Sequence, residues 1–268
     1  MNPIDILFQK LRSQGRKAFM PFVTAGDPDL SATARLVEEL ARRGASLIEI
    51  GFPYSDPIAD GPVIQASYTR ALAKGVRLDS IFSCIRELAG TTTPLVGMTS
   101  YTLVYRRGPD AFLTQAQAAG LSGLIVPDLP VEEADELARL AAARNLKLIQ
   151  LVTPTTPHDR AKRIAASSSG FLYVVSVVGI TGERDLLPEQ LLSQLRWLRS
   201  QTDLPICVGF GVSKAEHVQM LRDVVDGVIV ASALVRRLEQ ASTRPLGDII
   251  REIGDVAQGL AETLNPGP

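Results

Sequence analysis

A repeated rhythm constrains this chain more than any single residue does. Apolar runs of four to seven residues, at 18–24, 47–50, 94–99, 123–126, 146–152, 170–175, 204–208 and 227–230, each give way to a segment of helical periodicity. Runs this short and this continuous read as parallel strands buried on both faces, because half-exposed strands alternate with polar residues. The intervening segments carry one apolar face, as with Leu36, Val37, Leu40 and Ala41, or Ala134, Leu137, Ala138 and Ala141. Eight strand-then-helix units in ~240 residues match the size of a (β/α)8 barrel, the TIM-barrel architecture. A doubly wound open sheet is the structural competitor. Of the 268 residues 46% are hydrophobic and 21% charged, enough apolar material for a large core. No linker or repeat divides the chain, so 1–268 reads as one α/β domain. Three additions are expected: a helix over 2–13 before the first strand, a helix over 62–74 inside the second βα loop, and a helical tail over 233–264 broken near Pro245.

In such a barrel, chemistry gathers at the C-terminal ends of the strands. Two carboxylates stand out there. Glu49 interrupts the run 47–50, and an unpaired buried carboxylate is heavily penalised. If Leu47 faces the barrel interior, Glu49 does too, two residues on. Asp60 lies in the proline-rich loop that follows, between Ala59 and Gly61. Alone, Glu49 could be half of a strand-to-strand pair and Asp60 a turn-former before glycine. Together on one connection they point to acid/base catalysis.

The last three strands end in small residues: Val178-Gly179-Ile180-Thr181-Gly182, Gly209-Phe210-Gly211-Val212-Ser213 and Ala231-Ser232-Ala233. Glycine lets backbone N–H groups approach an anion, and these are the loops where barrels commonly hold phosphate. Arg184 and Lys214 are the only obvious cations there, so backbone donors would dominate, which suits a phosphomonoester. Tyr101 and Tyr173 are candidates to line the pocket, although strand aromatics more often serve the core. Phe22 and Phe210 could form an apolar wall for a flat substrate. His158 and His217 have no metal-ligand companion and read as surface residues, so no metal is expected; Trp197 reads as packing. Lys147 begins the fifth strand, the wrong end for a Schiff base. The absence of Gly-x-Gly-x-x-Gly after the first strand counts against a dinucleotide cofactor. A net charge of −1 argues against nucleic acid, and no apolar run approaches the ~18 residues of a membrane span. Cys84 and Cys207 fit no metal spacing and read as reduced core residues of a cytoplasmic protein.

Taken together, Phe22-Val23-Thr24-Ala25-Gly26-Asp27-Pro28, the stretch from Glu49 through Pro62, Val126-Pro127-Asp128-Leu129-Pro130, Gly179-Ile180-Thr181-Gly182 and Val208-Gly209-Phe210-Gly211 resemble the tryptophan synthase α chain family over nearly the whole sequence. The stretch from Glu49 to Pro62 is the most specific. The resemblance implies a lyase that splits indole-3-glycerol phosphate into indole and glyceraldehyde 3-phosphate by a retro-aldol reaction. It implies that Glu49 moves the protons and that Asp60 accepts the indole N–H. It further implies that Phe22 lines the indole pocket, Tyr173 touches substrate, and Thr181 sits on a loop closing beside Asp60. Gly182, Phe210, Gly211 and Ser232 would hold the phosphate. The implied partner is a β chain in an α2β2 assembly, met by Asp56 and Pro57; pyridoxal phosphate is expected only on that partner, and no cofactor here. Three positions depart from the family pattern. Ala231 stands where the phosphate loop usually has glycine, Tyr101-Thr102-Leu103 where Tyr-Asn is frequent, and Val177-Val178 is not the commonest pair before Gly179. Competing functions are a stand-alone lyase releasing indole, a catalytically idle scaffold or allosteric barrel, and an isomerase of another phosphorylated metabolite.

Overall fold

The structure, a computed structural model, describes residues 1–57, 60–176, 189–209, 211–212 and 214–267. Its strands are β1 (Ala18–Thr24), β2 (Ile48–Gly51), β3 (Leu95–Met98), β4 (Gly123–Ile125), β5 (Lys147–Ile149), β6 (Leu151–Val152), β7 (Leu172–Val175), β8 (Ile206–Gly209) and β9 (Gly227–Val230). They form one parallel sheet in the order β5-β4-β3-β2-β1-β9-β8-β7-β6. The expected fifth strand is present in two pieces. Its first half pairs with β4 and its second with β7, so chain continuity across Gln150 closes the ring. At the hand-over, hydroxyls replace strand carbonyls: the N–H groups of Leu148 and Gln150 donate to Ser169 Oγ (2.9 Å) and Ser168 Oγ (3.1 Å). The ring is therefore the (β/α)8 barrel, with one strand changing partners midway.

The helices are α1 (Pro3–Ser13), α2 (Leu30–Arg42), α3 (Pro62–Ala73), α4 (Leu78–Glu87), α5 (Tyr101–Arg107), α6 (Pro109–Ala119), α7 (Asp135–Ala142), α8 (His158–Ser167), α9 (Glu189–Arg199), α10 (Ala215–Leu221), α11 (Ser232–Val235) and α12 (Leu246–Leu264). None of the described helices is long and apolar enough to cross a membrane. Alternate strand residues divide between two apolar clusters, as the pleat requires. Phe19, Val23, Ile48 and Ile50 face outward onto the helices. Met20, Phe22, Leu47, Val96, Ile125, Ile149, Tyr173 and Ile229 fill the inside of the ring.

The N-terminal end is plugged by α1. Asn2 caps this helix, its Oδ1 accepting from Ile4 N (2.8 Å), and its Nδ2 donates to the carbonyls of Ser122 (2.8 Å) and Asn145 (2.6 Å). Ile4, Phe8 and Leu11, one turn apart, are buried, with Phe8 against Phe171 at a ring separation of 5.8 Å. Lys147 pairs with Asp5 at 2.7 Å at this same end, remote from the strand C-termini.

Two helices serve the opposite end. The Asp27 carboxylate, which has no exposed side-chain surface, fixes α3 by accepting from Ser67 Oγ, Arg70 Nε (3.0 Å) and Arg70 Nη2 (2.6 Å). The helix α5 was not expected from the sequence. Ser100 caps it, and Asp128, after β4, accepts from Ser100 Oγ and from Tyr101 N, both at 2.7 Å. A local serine cap and a tertiary carboxylate thus together start a helix of only seven residues.

Candidate active site

Strand register places Glu49. Phe22 on β1 lies opposite Glu49 on β2, and Thr24 opposite Gly51 one step nearer the mouth. Leu47 belongs to the interior cluster, so Glu49 projects inward above it. Glu49 is only 1% exposed, and neither carboxylate oxygen has a hydrogen-bond partner among the described residues. Burial, and after it the nearby Asp60 charge, push its pKa up to about 8. At neutral pH Glu49 is therefore a neutral acid.

Asp60 is held by its loop. Its N–H donates to Pro57 O (3.2 Å), and Gln65 Nε2, from the first turns of α3, donates to Asp60 O (2.8 Å) and Pro57 O (3.3 Å). Gly61 and Pro62 then open α3. The Tyr54 hydroxyl reaches Asp60 Oδ2 in a long 3.5 Å contact. Burial raises the Asp60 carboxyl to about 6, and the Tyr54 bond works in the opposite direction. The two carboxyls are pushed apart into neighbouring protonation ranges, a pattern that separates an acid from an ionised partner.

The wall around them is crowded. A Cβ on Gly51 would overlap the Phe22 ring and stand 2.7 Å from the Tyr68 hydroxyl. A Cβ on Gly209 would overlap the hydroxyl end of Tyr173, which is 2% exposed on β7. After burial, the charges of Glu49 and Asp60 both raise the Tyr173 pKa, so this hydroxyl shares their enclosure. Tyr101 opens α5, half-buried at the rim. Gly211 takes a left-handed φ of 76°, a conformation that favours glycine, and Ala231 precedes Ser232 at the start of α11. Asp56 is exposed and Pro57 half-buried on the outer part of the Asp60 loop. Thr181, Gly182 and Phe210 lie outside the described residues.

Sequence reasoning missed Tyr54, Tyr68, Gln65 and Asp128. Asp128 left a signal within Val126-Pro127-Asp128-Leu129-Pro130, and Tyr54 lies inside the Glu49-to-Pro62 stretch; Tyr68 and Gln65 left none. One expectation is corrected: His217 is not a surface residue but 1% exposed, because the spacing of 217, 218 and 221 turns it inward with Val218 and Leu221 on α10. His158 is exposed, stacked on Trp197 at 3.9 Å, and Trp197 packs against the outer core. Cys84 and Cys207 are both buried and free, with burial raising the Cys84 thiol to about 11 and the Cys207 thiol well above its usual range.

A largely apolar interior holds one carboxyl raised to about 8 and a second raised to about 6 near its mouth, so fold and site fit the class of (β/α)8-barrel enzymes, with two carboxyls suited to acid/base chemistry. Comparison with known proteins narrows this. The family model described as Tryptophan synthase alpha chain matches residues 8–262. A tryptophan synthase alpha chain of Rhodopirellula baltica is 48% identical over 276 aligned positions, covering 99% of each chain. One from Microcystis aeruginosa is 48% identical over 266, covering 98% of this chain and all of its own. The crystal structure of the tryptophan synthase subunit alpha from Legionella pneumophila superposes with a TM-score of 0.90 at 34% identity, covering 99% of each. A chain of the tryptophan synthase complex from Pyrococcus furiosus superposes at 0.82 and 36%, covering 91% of this chain and 99% of that one. The chain belongs to the tryptophan synthase alpha chain family.

Proposed function

We propose that this chain is a carbon–carbon lyase cleaving indole-3-glycerol phosphate to indole and glyceraldehyde 3-phosphate, with Glu49 as the proton-transfer residue and Asp60 as its ionised partner. Glu49 gives its proton to C3 of the indole, while Asp60 accepts the ring N–H and offsets the positive charge on the ring. The Glu49 carboxylate then takes the proton of the hydroxyl on the carbon attached to C3. The carbon–carbon bond breaks, its electron pair restores the aromatic ring, and the hydroxyl oxygen becomes the aldehyde carbonyl. Glu49 ends protonated, as it began.

Phe22 and Tyr173 flank the indole in this reading, with Tyr101 at the rim. Gly182, Phe210, Gly211, Ala231 and Ser232 hold the phosphate through backbone donors, and the Ala231 methyl removes none of them. The Thr181 loop closes beside Asp60. The single domain, 1–268, works in the cytoplasm and pairs through Asp56 and Pro57 with a β chain in an α2β2 assembly. Pyridoxal phosphate belongs to that partner, and this chain needs no cofactor.

The observation that carries the reading is the partnerless, neutral Glu49 carboxyl beside Asp60. An indole-release assay on the purified chain with indole-3-glycerol phosphate tests it. Glu49→Gln is expected to lose ~10²–10⁴-fold in rate while keeping phosphate-ligand affinity; normal turnover by the variant would refute the assignment. Adding the cognate β chain is expected to raise the rate by stabilising the closed loop. Equal turnover with and without it would favour a stand-alone lyase, to which the exposed Thr102, in place of the frequent asparagine, lends some support.

A further inference from the structure

Glu49 is not the only polar group at the mouth without a partner. The Tyr68 hydroxyl on α3 and the Thr24 hydroxyl at the end of β1 are buried, and neither has a hydrogen-bond partner among the described residues. Buried polar groups are nearly always satisfied, so three orphans in one place mark where a ligand's own polar atoms belong.

Their positions agree. Thr24 and Gly51 face each other across β1 and β2, one step toward the mouth from Phe22 and Glu49. The Tyr68 hydroxyl occupies the side-chain space that Gly51 leaves empty, 2.7 Å from where a Cβ would sit. It therefore hangs directly above the acid/base layer. The Tyr68 ring rests against Tyr54, with centroids 5.5 Å apart, and α3 is anchored through Ser67 and Arg70 to buried Asp27. The hydroxyl is placed before any ligand arrives.

We propose that Tyr68 is a further substrate-binding residue, its hydroxyl donating a hydrogen bond to an oxygen of the substrate's glycerol chain beside Glu49, with the Thr24 hydroxyl as its neighbour. This rests on the lyase reading above. The indole's one N–H is given to Asp60 in that reading, so these hydroxyls are left to the three-carbon chain, which bears two hydroxyls of its own. Burial and the charges of Asp60, Tyr54 and Glu49 hold the phenol far above its usual range, so it stays an O–H donor and never acts as a base. A donor at this point also stabilises the glycerol oxygen as it gives up its proton.

The test is Tyr68→Phe in the full-length chain, which removes the hydroxyl and keeps the ring. We expect kcat/KM for indole-3-glycerol phosphate to fall about 10- to 100-fold. Affinity for indole-3-propanol phosphate, which lacks both hydroxyls on the three-carbon chain, should stay within about twofold, since no hydrogen bond to it is lost. The melting temperature of the free chain should hold or rise, because an unsatisfied hydroxyl has been removed. An unchanged kcat/KM, equal weakening of both ligands, or failure to fold would each overturn the proposal. A silent Tyr68→Phe beside an inactive Glu49→Gln would remove Tyr68 alone; a wild-type chain that releases no indole would remove the lyase reading with it.

Discussion

Protonation of Glu49 favours the folded chain and the proposed reaction alike. Its carboxyl is held near 8 in the fold against an ordinary value of 4.5, so the folded chain binds this proton more tightly than the unfolded one. The unfolded chain releases it first as pH rises, and stability then declines between about pH 4.5 and about pH 8 before levelling off. Its contribution to the slope approaches about 1.4 kcal/mol per pH unit inside that window. Glu49→Gln is always neutral and should lack this component, so urea unfolding of both proteins from pH 5 to 9 should give lines that diverge and then run parallel. Equal slopes would mean that the carboxyl ionises as freely inside the barrel as outside it. The proposed mechanism needs Asp60 ionised and Glu49 protonated, so kcat/KM should rise through about pH 6 and fall through about pH 8. Both carboxylates were legible in the sequence because Glu49 interrupts an apolar run and Asp60 follows it on the same connection. Tyr68 was not, since a tyrosine on an amphipathic helix reads as packing until its hydroxyl is seen to lack a partner.

At the scale of elements, the loop residues Pro57 and Asp60 and the helix α3 behave as one part. Gln65 ties the backbone of Asp60 to that of Pro57, so Asp60 and the outward-facing segment share a clamp. Gln65→Ala should lower kcat/KM by roughly tenfold through misplacement of Asp60. Gln65 is exposed, so the melting temperature should change by no more than a degree or two; a large thermal effect with intact kinetics would assign it to the scaffold instead. The helix α3 itself could be read from Pro62 and the pattern beyond it. The helix α5 could not, because its N-terminal carboxylate comes from Asp128, 27 residues further along the chain than Tyr101. The divided fifth strand was equally hidden: nothing in the run 146–152 marks Gln150 as the place where pairing changes, and the serines that receive the N–H groups of Leu148 and Gln150 lie about 20 residues further along. Local pattern identifies an element; its partners decide where it starts and stops.

Across the whole molecule, the two ends of the barrel do separate work. The α1 plug closes one end with Ile4, Phe8 and Leu11, far along the strands from Glu49. Phe8→Ala, at a site 5% exposed, should cost about 3–5 kcal/mol in equilibrium unfolding yet leave KM for substrate unchanged. A shift in KM would mean that packing at the floor reaches the mouth. The eight-strand rhythm made the ring legible from sequence, since that number of units leaves little architectural choice. It also fixes how much room the ring has. An eight-stranded interior is just wide enough for its own side chains, and here the gaps at Gly51 and Gly209 are already taken by Phe22, Tyr68 and Tyr173. Anyone seeking to make this barrel accept a bulkier, ring-substituted indole gains nothing at the two glycines. The space has to be cut from the aromatics that lean over them.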